Sequence, residues 1–351
     1  MAKHIQIGSR KIGPGEPVFI IAELSANHGR NYAAAEDLVY AAKECGADAV
    51  KLQTYTADTI TLQSDKEFFR IGGGTLWDGR TLYDLYSEAY TPWDWQPKLK
   101  ELADGLGLEL FSSAFDETSV DFLEKMGVRV HKVASFEAVD FPLIEKMAAT
   151  GKPIILSTGM CSEAEILDAV QAARSAGAIE IALLKCTSAY PAPPESMNLR
   201  AIPRLSEAFD AVVGLSDHTL GIAVPVTAVA LGAVIVEKHF TLSRATPGPD
   251  SAFSLEPTEF RAMVEAVRTA EKAMGEPTLE PTAAEKNSRV FRRSLFVVRD
   301  VRKGEIFTSD NVRSIRPSYG AHPKHLREIL GRRAIRDLQA GTPLDLSLIS
   351  D

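Results

Sequence analysis

Eight short apolar runs, at residues 18–22, 49–52, 108–112, 128–134, 153–157, 179–185, 211–215 and 233–236, alternate along this chain with segments whose apolar residues recur at helical spacing. Runs that are apolar almost throughout leave no face for water, so each reads as a strand buried on both sides. Segments such as 33–43, 93–106, 119–126, 164–175 and 257–274 supply the helices that would cover them. Eight such units close naturally into a parallel (β/α)8 barrel, an α/β TIM barrel. A doubly wound open sheet is the other arrangement, but no Gly-x-Gly-x-x-Gly opens a helix near the start. The Gly72-Gly73-Gly74 run sits in a long insert between the second and third runs with no strand before it, and reads as a lid rather than a phosphate loop.

The pattern ends after Met274. A proline-bearing stretch at 276–287 reads as a linker between a catalytic barrel at 1–275 and a small domain at 288–351, whose short β-like runs include 294–298. Charge divides along the same line. The formal net charge is −8, yet from Ala283 onward 14 Lys/Arg stand against 8 Asp/Glu, net +6, whereas the preceding 282 residues carry 25 against 39, net −14. Such asymmetry fits either an anion-binding module or two parts that dock. The basic residues are interspersed with acidic ones and lack an aromatic platform, which argues against nucleic acid as a partner.

Cys45, Cys161 and Cys186 lack metal-ligand spacing and are odd in number, so a reducing, cytoplasmic setting is expected. No apolar stretch precedes a small-residue cleavage site at the amino terminus, so no secretory signal is expected. Residues 219–236 carry no charge, but Gly221, Pro225, Thr227 and Gly232 interrupt them, so a helix followed by a buried strand is expected there rather than a membrane span.

In a barrel, side chains at the carboxyl ends of the strands line the active site. Here they are strongly polar. Lys51 and Lys132, beside Ser113, Ser135, Ser157, Ser188 and Ser216, suit a small phosphorylated anion, because ammonium groups neutralise its charge while hydroxyls donate to its oxygens. Glu23 and Glu137 are candidate acid/base groups, or partners of those lysines. His218, in Gly-Leu-Ser-Asp-His-Thr, and His239, in Glu-Lys-His-Phe, close the last two runs and are candidate ligands for a divalent metal, or hydrogen-bonded structural residues.

These phrases form an ordered set. Phe19-Ile-Ile-Ala-Glu-Leu-Ser-Ala-Asn-His28, Val50-Lys-Leu-Gln53, Lys132-Val-Ala-Ser-Phe-Glu137, Leu156-Ser-Thr-Gly159, Lys185-Cys-Thr-Ser-Ala-Tyr-Pro191, the two histidine phrases and Gly248-Pro-Asp250 resemble the sialic acid synthase family. The residues from Ser294 to Pro317 resemble that family's carboxy-terminal antifreeze-like (SAF, β-clip type) domain. Within the family, the strand-one phrase and the insert with Trp77 and Trp93 resemble the pseudaminic acid branch, and Ser188 stands where the N-acetylneuraminate branch tends to have Asn.

The resemblance implies roles by matched position. His218 and His239 would bind Mn2+, with Mg2+ or Co2+ as alternatives. Lys51, Ser113, Lys132, Ser135, Ser157, Ser188 and Ser216 would hold phosphoenolpyruvate. Glu23, Gln53, Tyr190 and Asp250 would face an acetamido sugar, Glu137 would lie near the reaction centre, and Arg316 would reach the sugar from the partner subunit of a domain-swapped homodimer. The implied reaction condenses phosphoenolpyruvate with a 2,4-diacetamido-2,4,6-trideoxy hexose. Two rivals are a pyruvate-dependent aldolase, which leaves the hydroxyl row without a task, and a carbohydrate- or ice-binding role for the small domain, which leaves the barrel mouth unexplained.

Overall fold

The computed structural model describes residues 4–350. One compact unit ends at Gly275 and a second begins at Glu276. The first is built on β1 (Phe19–Glu23), β2 (Ala49–Thr54), β3 (Glu109–Ala114), β4 (His131–Val133), β5 (Ile154–Ser157), β6 (Ile181–Cys186), β7 (Val212–Asp217) and β8 (Ile235–His239). Each strand pairs in parallel with the next, and β8 returns to β1 to close the barrel. Almost every strand residue is buried, as the apolar runs require.

Local chemistry sets the helices that cover the strands. Ser162 and Glu165 form a reciprocal cap on Glu163–Ser175: the serine hydroxyl accepts from Glu165 N, and the glutamate accepts from Ser162 N at 2.8 Å. Asp116 caps Glu117–Met126 by accepting from the amides of Thr118 and Ser119. The uncharged stretch resolves into helix Ala223–Ala230 followed by β8, and no helix among the described residues is long and apolar enough to cross a membrane. The fourth run differs from expectation. Only His131–Val133 is strand: the chain bends at 129–130 before it and turns after it into a single 3-10 turn, Ser135–Glu137, closed by Glu137 N donating to Ala134 O.

Close packing fixes the far side of the barrel. A Cβ on Gly214 of β7 would lie 2.6 Å from both Ile235 O and Leu184 Cδ2, so only glycine fits where β6, β7 and β8 converge. At the amino-terminal end, a hairpin of Ile5–Ile7 and Arg10–Ile12 places Ile5, Ile7 and Ile12 in one core with Phe19, Ala49 and Ile154. One carboxylate there is held from three sides. Asp48 accepts from Ile20 N at 2.9 Å and from Arg268 at 3.1 Å, and pairs with Arg10.

The second unit has its own core of Leu295, Val297, Phe307, Val312, Ile329 and Leu344. Strand Ser294–Val297 pairs antiparallel with Val312–Ile315. The stretch read as a linker is not wholly extended, because Thr282 caps a helix at Ala283–Ser288.

Candidate active site

Parallel register brings the polar strand ends to one level. His239 stands opposite Glu23, Glu23 opposite Lys51, Gln53 opposite Ser113, Ser113 opposite Lys132, and Ser216 opposite Glu237. Together with Ser135, Ser157, Cys186, Tyr190 and His218, these side chains line one cavity, with room of about 60 Å3. The two-residue alternation of a strand decides which neighbours take part. Ser216 and His218, and likewise Glu237 and His239, line the cavity. Asp217 and Lys238 between them form a fully buried ion pair at 2.6 Å.

Charge inside the cavity is balanced around Lys51. Its ammonium lies 2.6 Å from Glu23 and 3.5 Å from Glu237, and donates to Ser113 Oγ at 3.2 Å. Burial pushes the Glu23 carboxyl up to about 7; Lys51 opposes the shift and Glu237 adds to it. Burial also works against ionisation of Glu237, but the Lys51 and Lys132 ammonium groups lead the opposing contributions that hold its pKa below the usual value. Two carboxyls sharing one ammonium are therefore pushed apart, Glu23 upward by burial and Glu237 downward by the surrounding cations. Lys132, whose pKa burial lowers, donates to Ser157 Oγ at 2.7 Å and Val133 O at 2.9 Å.

Hydroxyls converge beside Lys132. Gly159 N donates to Ser135 Oγ at 3.1 Å. A Cβ on Gly159 would sit 2.3 Å from Ser188 Oγ and 2.7 Å from Ser135 Oγ, so the absent side chain is what leaves room for both hydroxyls.

The two imidazoles face each other with ring centroids 5.2 Å apart. His218 Nδ1 donates to Thr187 O at 3.0 Å, which leaves its Nε2 lone pair free. His239 is held neutral, chiefly by burial, and its buried Nδ1 has no partner. Two imidazoles bound to one ion at about 2.1 Å per nitrogen keep their centroids about 5 Å apart, so this pair fits a divalent metal. No group of three or more potential His, Cys, Asp or Glu ligands occurs among the described residues, so two protein ligands would leave the other coordination positions open.

Aromatic side chains surround the histidines. Tyr190 lies 4.4 Å, centroid to centroid, from His218, and Phe253 lies 4.9 Å from His239. The insert reaches the same place: Trp77 Nε1 donates to Pro249 O at 3.1 Å and its ring lies 5.7 Å from Tyr190.

The sequence profile of the NeuB family matches residues 38–278. The chain belongs to the NeuB family. A SAF domain profile matches residues 292–350. The chain is 47% identical over 331 residues to a pseudaminic acid synthase of Helicobacter pylori, covering 94% of this chain and 97% of that one. It is 46% identical over 340 residues to a pseudaminic acid synthase of Campylobacter jejuni, covering 97% and 98%. Among solved structures, the N-acetylneuraminic acid synthetase of Leptospira borgpetersenii in complex with citrate matches with a TM-score of 0.74 at 33% identity, over 82% of this chain and 95% of that one.

Within this NeuB barrel, the residues singled out from sequence fall into three groups. Glu23, Lys51, Gln53, Ser113, Lys132, Ser135, Ser157, Tyr190, Ser216, His218 and His239 line the cavity. Ser188 and Asp250 lie outside that lining, Ser188 with its hydroxyl beside Gly159 and Asp250 accepting from Ser25, whose hydroxyl in turn accepts from the lining residue Gln53. Glu137 is outside the lining; burial pushes its carboxyl up to about 7, and its Oε2 has no partner. Arg316 is exposed and belongs to the second unit. Glu237 and Ser25 are legible as polar strand-end residues, but the sequence assigns neither a role, and Cys186 was passed over. Alternation from His239 places Glu237 in the cavity, and alternation back from Ser188 would have found Cys186.

Proposed function

We propose that this chain is a pseudaminic acid synthase, condensing phosphoenolpyruvate with 2,4-diacetamido-2,4,6-trideoxy-L-altrose and water to give a nine-carbon 2-keto acid and phosphate, a transferase reaction that forms a C–C bond. The observation that carries this reading is the meeting, in one cavity, of two hydroxyl-bonded buried lysines with two facing imidazoles and a carboxyl near neutrality. Identity of 46–47% to pseudaminic acid synthases over nearly the whole chain favours the same sugar.

In this reading, Lys51 and Lys132 neutralise phosphoenolpyruvate while Ser113, Ser135, Ser157, Ser188 and Ser216 donate to its oxygens. Glu23, Gln53, Tyr190 and Asp250 orient the open-chain sugar so that its aldehyde carbon meets C3 of phosphoenolpyruvate. The new C–C bond forms there, water adds at C2, and the C2–O bond breaks so that phosphate leaves with the bridging oxygen. Glu23 carries protons between the attacking water and the former aldehyde oxygen. A divalent ion, Mn2+ or alternatively Mg2+ or Co2+, held by His218 and His239, would polarise the aldehyde oxygen and orient the water. The partner subunit of a domain-swapped homodimer would supply its Arg316 to the sugar, consistent with the +6 and −14 charge division.

The test is purified protein assayed with phosphoenolpyruvate, a divalent metal and a panel of acetamido sugars. The trideoxy diacetamido altrose should give the highest kcat/KM and N-acetylmannosamine a poor one. Preference for N-acetylmannosamine would return the chain to the N-acetylneuraminate branch, and preference for the legionaminate precursor to that branch. Consumption of pyruvate instead of phosphoenolpyruvate would sink the reading. Chelation should abolish turnover. Mixing Glu23→Ala and Arg316→Ala chains, with exchange shown independently, should restore activity if Arg316 serves the partner; no recovery would rule that arrangement out.

A further inference from the structure

Ser25 is a buried residue other than glycine in the left-handed region, with φ of +43°. Backbone strain of this kind persists only where surroundings hold it, and glycine would adopt the same turn without it. The serine side chain is engaged at every point. Its hydroxyl donates to Asp250 Oδ2 and accepts from Gln53 Nε2 at 3.0 Å. Gln53 Nε2 also donates to Glu23 Oε1 at 2.9 Å, so both amide hydrogens are used within the protein and the side-chain carbonyl is left as the group it offers. Asp250, half-buried, is held by Ser25 and by the backbone amide of Ala26. Asn27 continues the junction, donating to Phe240 O and Ser254 Oγ, each at 2.8 Å, while Ser254 Oγ donates to Asp250 O at 2.7 Å.

We infer that Ser25 is a specificity-determining positioning residue: its hydroxyl orients the Gln53 carbonyl and the Asp250 carboxylate as a pair of acceptors for N–H and O–H donors of the acetamido sugar. The inference rests on the proposed function. Phosphoenolpyruvate, which carries acceptors and no such donors, gains nothing from this pair. Loss of the hydroxyl therefore acts on one substrate. Ser25 need not touch the sugar, since it works through the two groups it holds.

The experiment compares the full-length enzyme with Ser25→Gly and Ser25→Ala, measuring KM for each substrate, kcat on diacetamido and monoacetamido sugars, and Tm. Glycine removes the hydroxyl and the strain together, so Ser25→Gly should fold with Tm equal to or above wild type. Both variants should raise KM for the diacetamido sugar by about tenfold, leave KM for phosphoenolpyruvate within about twofold, and narrow the preference over the monoacetamido sugar. A Ser25→Gly enzyme with unchanged sugar KM, or with both KM values raised together, would overturn the inference while leaving the proposed function standing. A wild-type enzyme that turns over phosphoenolpyruvate with no acetamido sugar would overturn both.

Discussion

The two ends of this barrel are built from the same eight strands and solve opposite problems. At the amino-terminal end Ile5, Ile7 and Ile12 close the core, and Asp48 is matched by a backbone amide and two arginines. At the carboxyl-terminal end the strands place lysines, carboxyls and imidazoles in a cavity, where burial shifts Glu23 to about 7, lowers Lys132 and keeps His239 neutral. A sealed end contributes stability. An end that gathers buried ionisable groups round a cavity, with His239 Nδ1 and Glu237 Oε2 unpartnered there, sacrifices stability to remain ready for a ligand, whereas the unpartnered Glu109 Oε1 and His131 Nδ1 at the other end line no such cavity. Substitutions at the two ends should therefore separate cleanly, activity at one and stability at the other.

The largest effect is expected at Lys51. Lys51→Met removes the cation between Glu23 and Glu237 and should lower kcat/KM by about 10^3-fold or more. Steady-state kinetics checks this, and a loss below tenfold would break the division between the ends.

Next is a pH effect where the insert meets the barrel. His28 is buried, bonded to Thr91 at 3.0 Å, and burial lowers its pKa from 6.5 to about 4. The folded state holds this ring neutral, so the unfolded chain binds the extra proton between these two values. The contribution is complete above about 6.5 and is lost as pH falls towards about 4, amounting to about 3 kcal/mol at most. Denaturation of wild type and His28→Gln across that window should show wild type losing more stability on acidification; parallel curves would contradict the assignment.

At the sealed end, Asp48→Ala leaves Ile20 N without its acceptor and takes one carboxylate from both Arg10 and Arg268. It should cost about 2 kcal/mol by denaturant titration with both KM values unchanged. A changed KM would mean that the ends are coupled. The smallest effect is expected at Gly159→Ala, whose methyl would displace Ser188 and Ser135. It should raise KM for phosphoenolpyruvate by about tenfold with little change in sugar KM or Tm.

Much of this division is legible in the sequence because it follows from periodicity. Runs apolar on both faces specify the barrel, and the residues ending those runs had to meet at one end. Lys51, Lys132 and both histidines could be chosen on chemistry alone. What escaped depended on side-chain direction and backbone conformation. Glu237 and Lys238 are adjacent and oppositely charged, and only the strand's pleat assigns one to the cavity and the other to Asp217. Glu137 lies beyond the point where β4 gives way to a 3-10 turn, so its place cannot be counted from strand register. Ser25 is marked by its φ, which no residue pattern reveals.

If the open end of the barrel joins phosphoenolpyruvate to the trideoxy diacetamido sugar by attack from C3 and water addition at C2, the bridging oxygen must leave with phosphate. Turnover of phosphoenolpyruvate carrying 18O at the bridging position, followed by mass analysis of both products, reads this out. The label is expected in inorganic phosphate, beside an unlabelled nine-carbon 2-keto acid. Label retained in the keto acid, meaning attack at phosphorus, would contradict it.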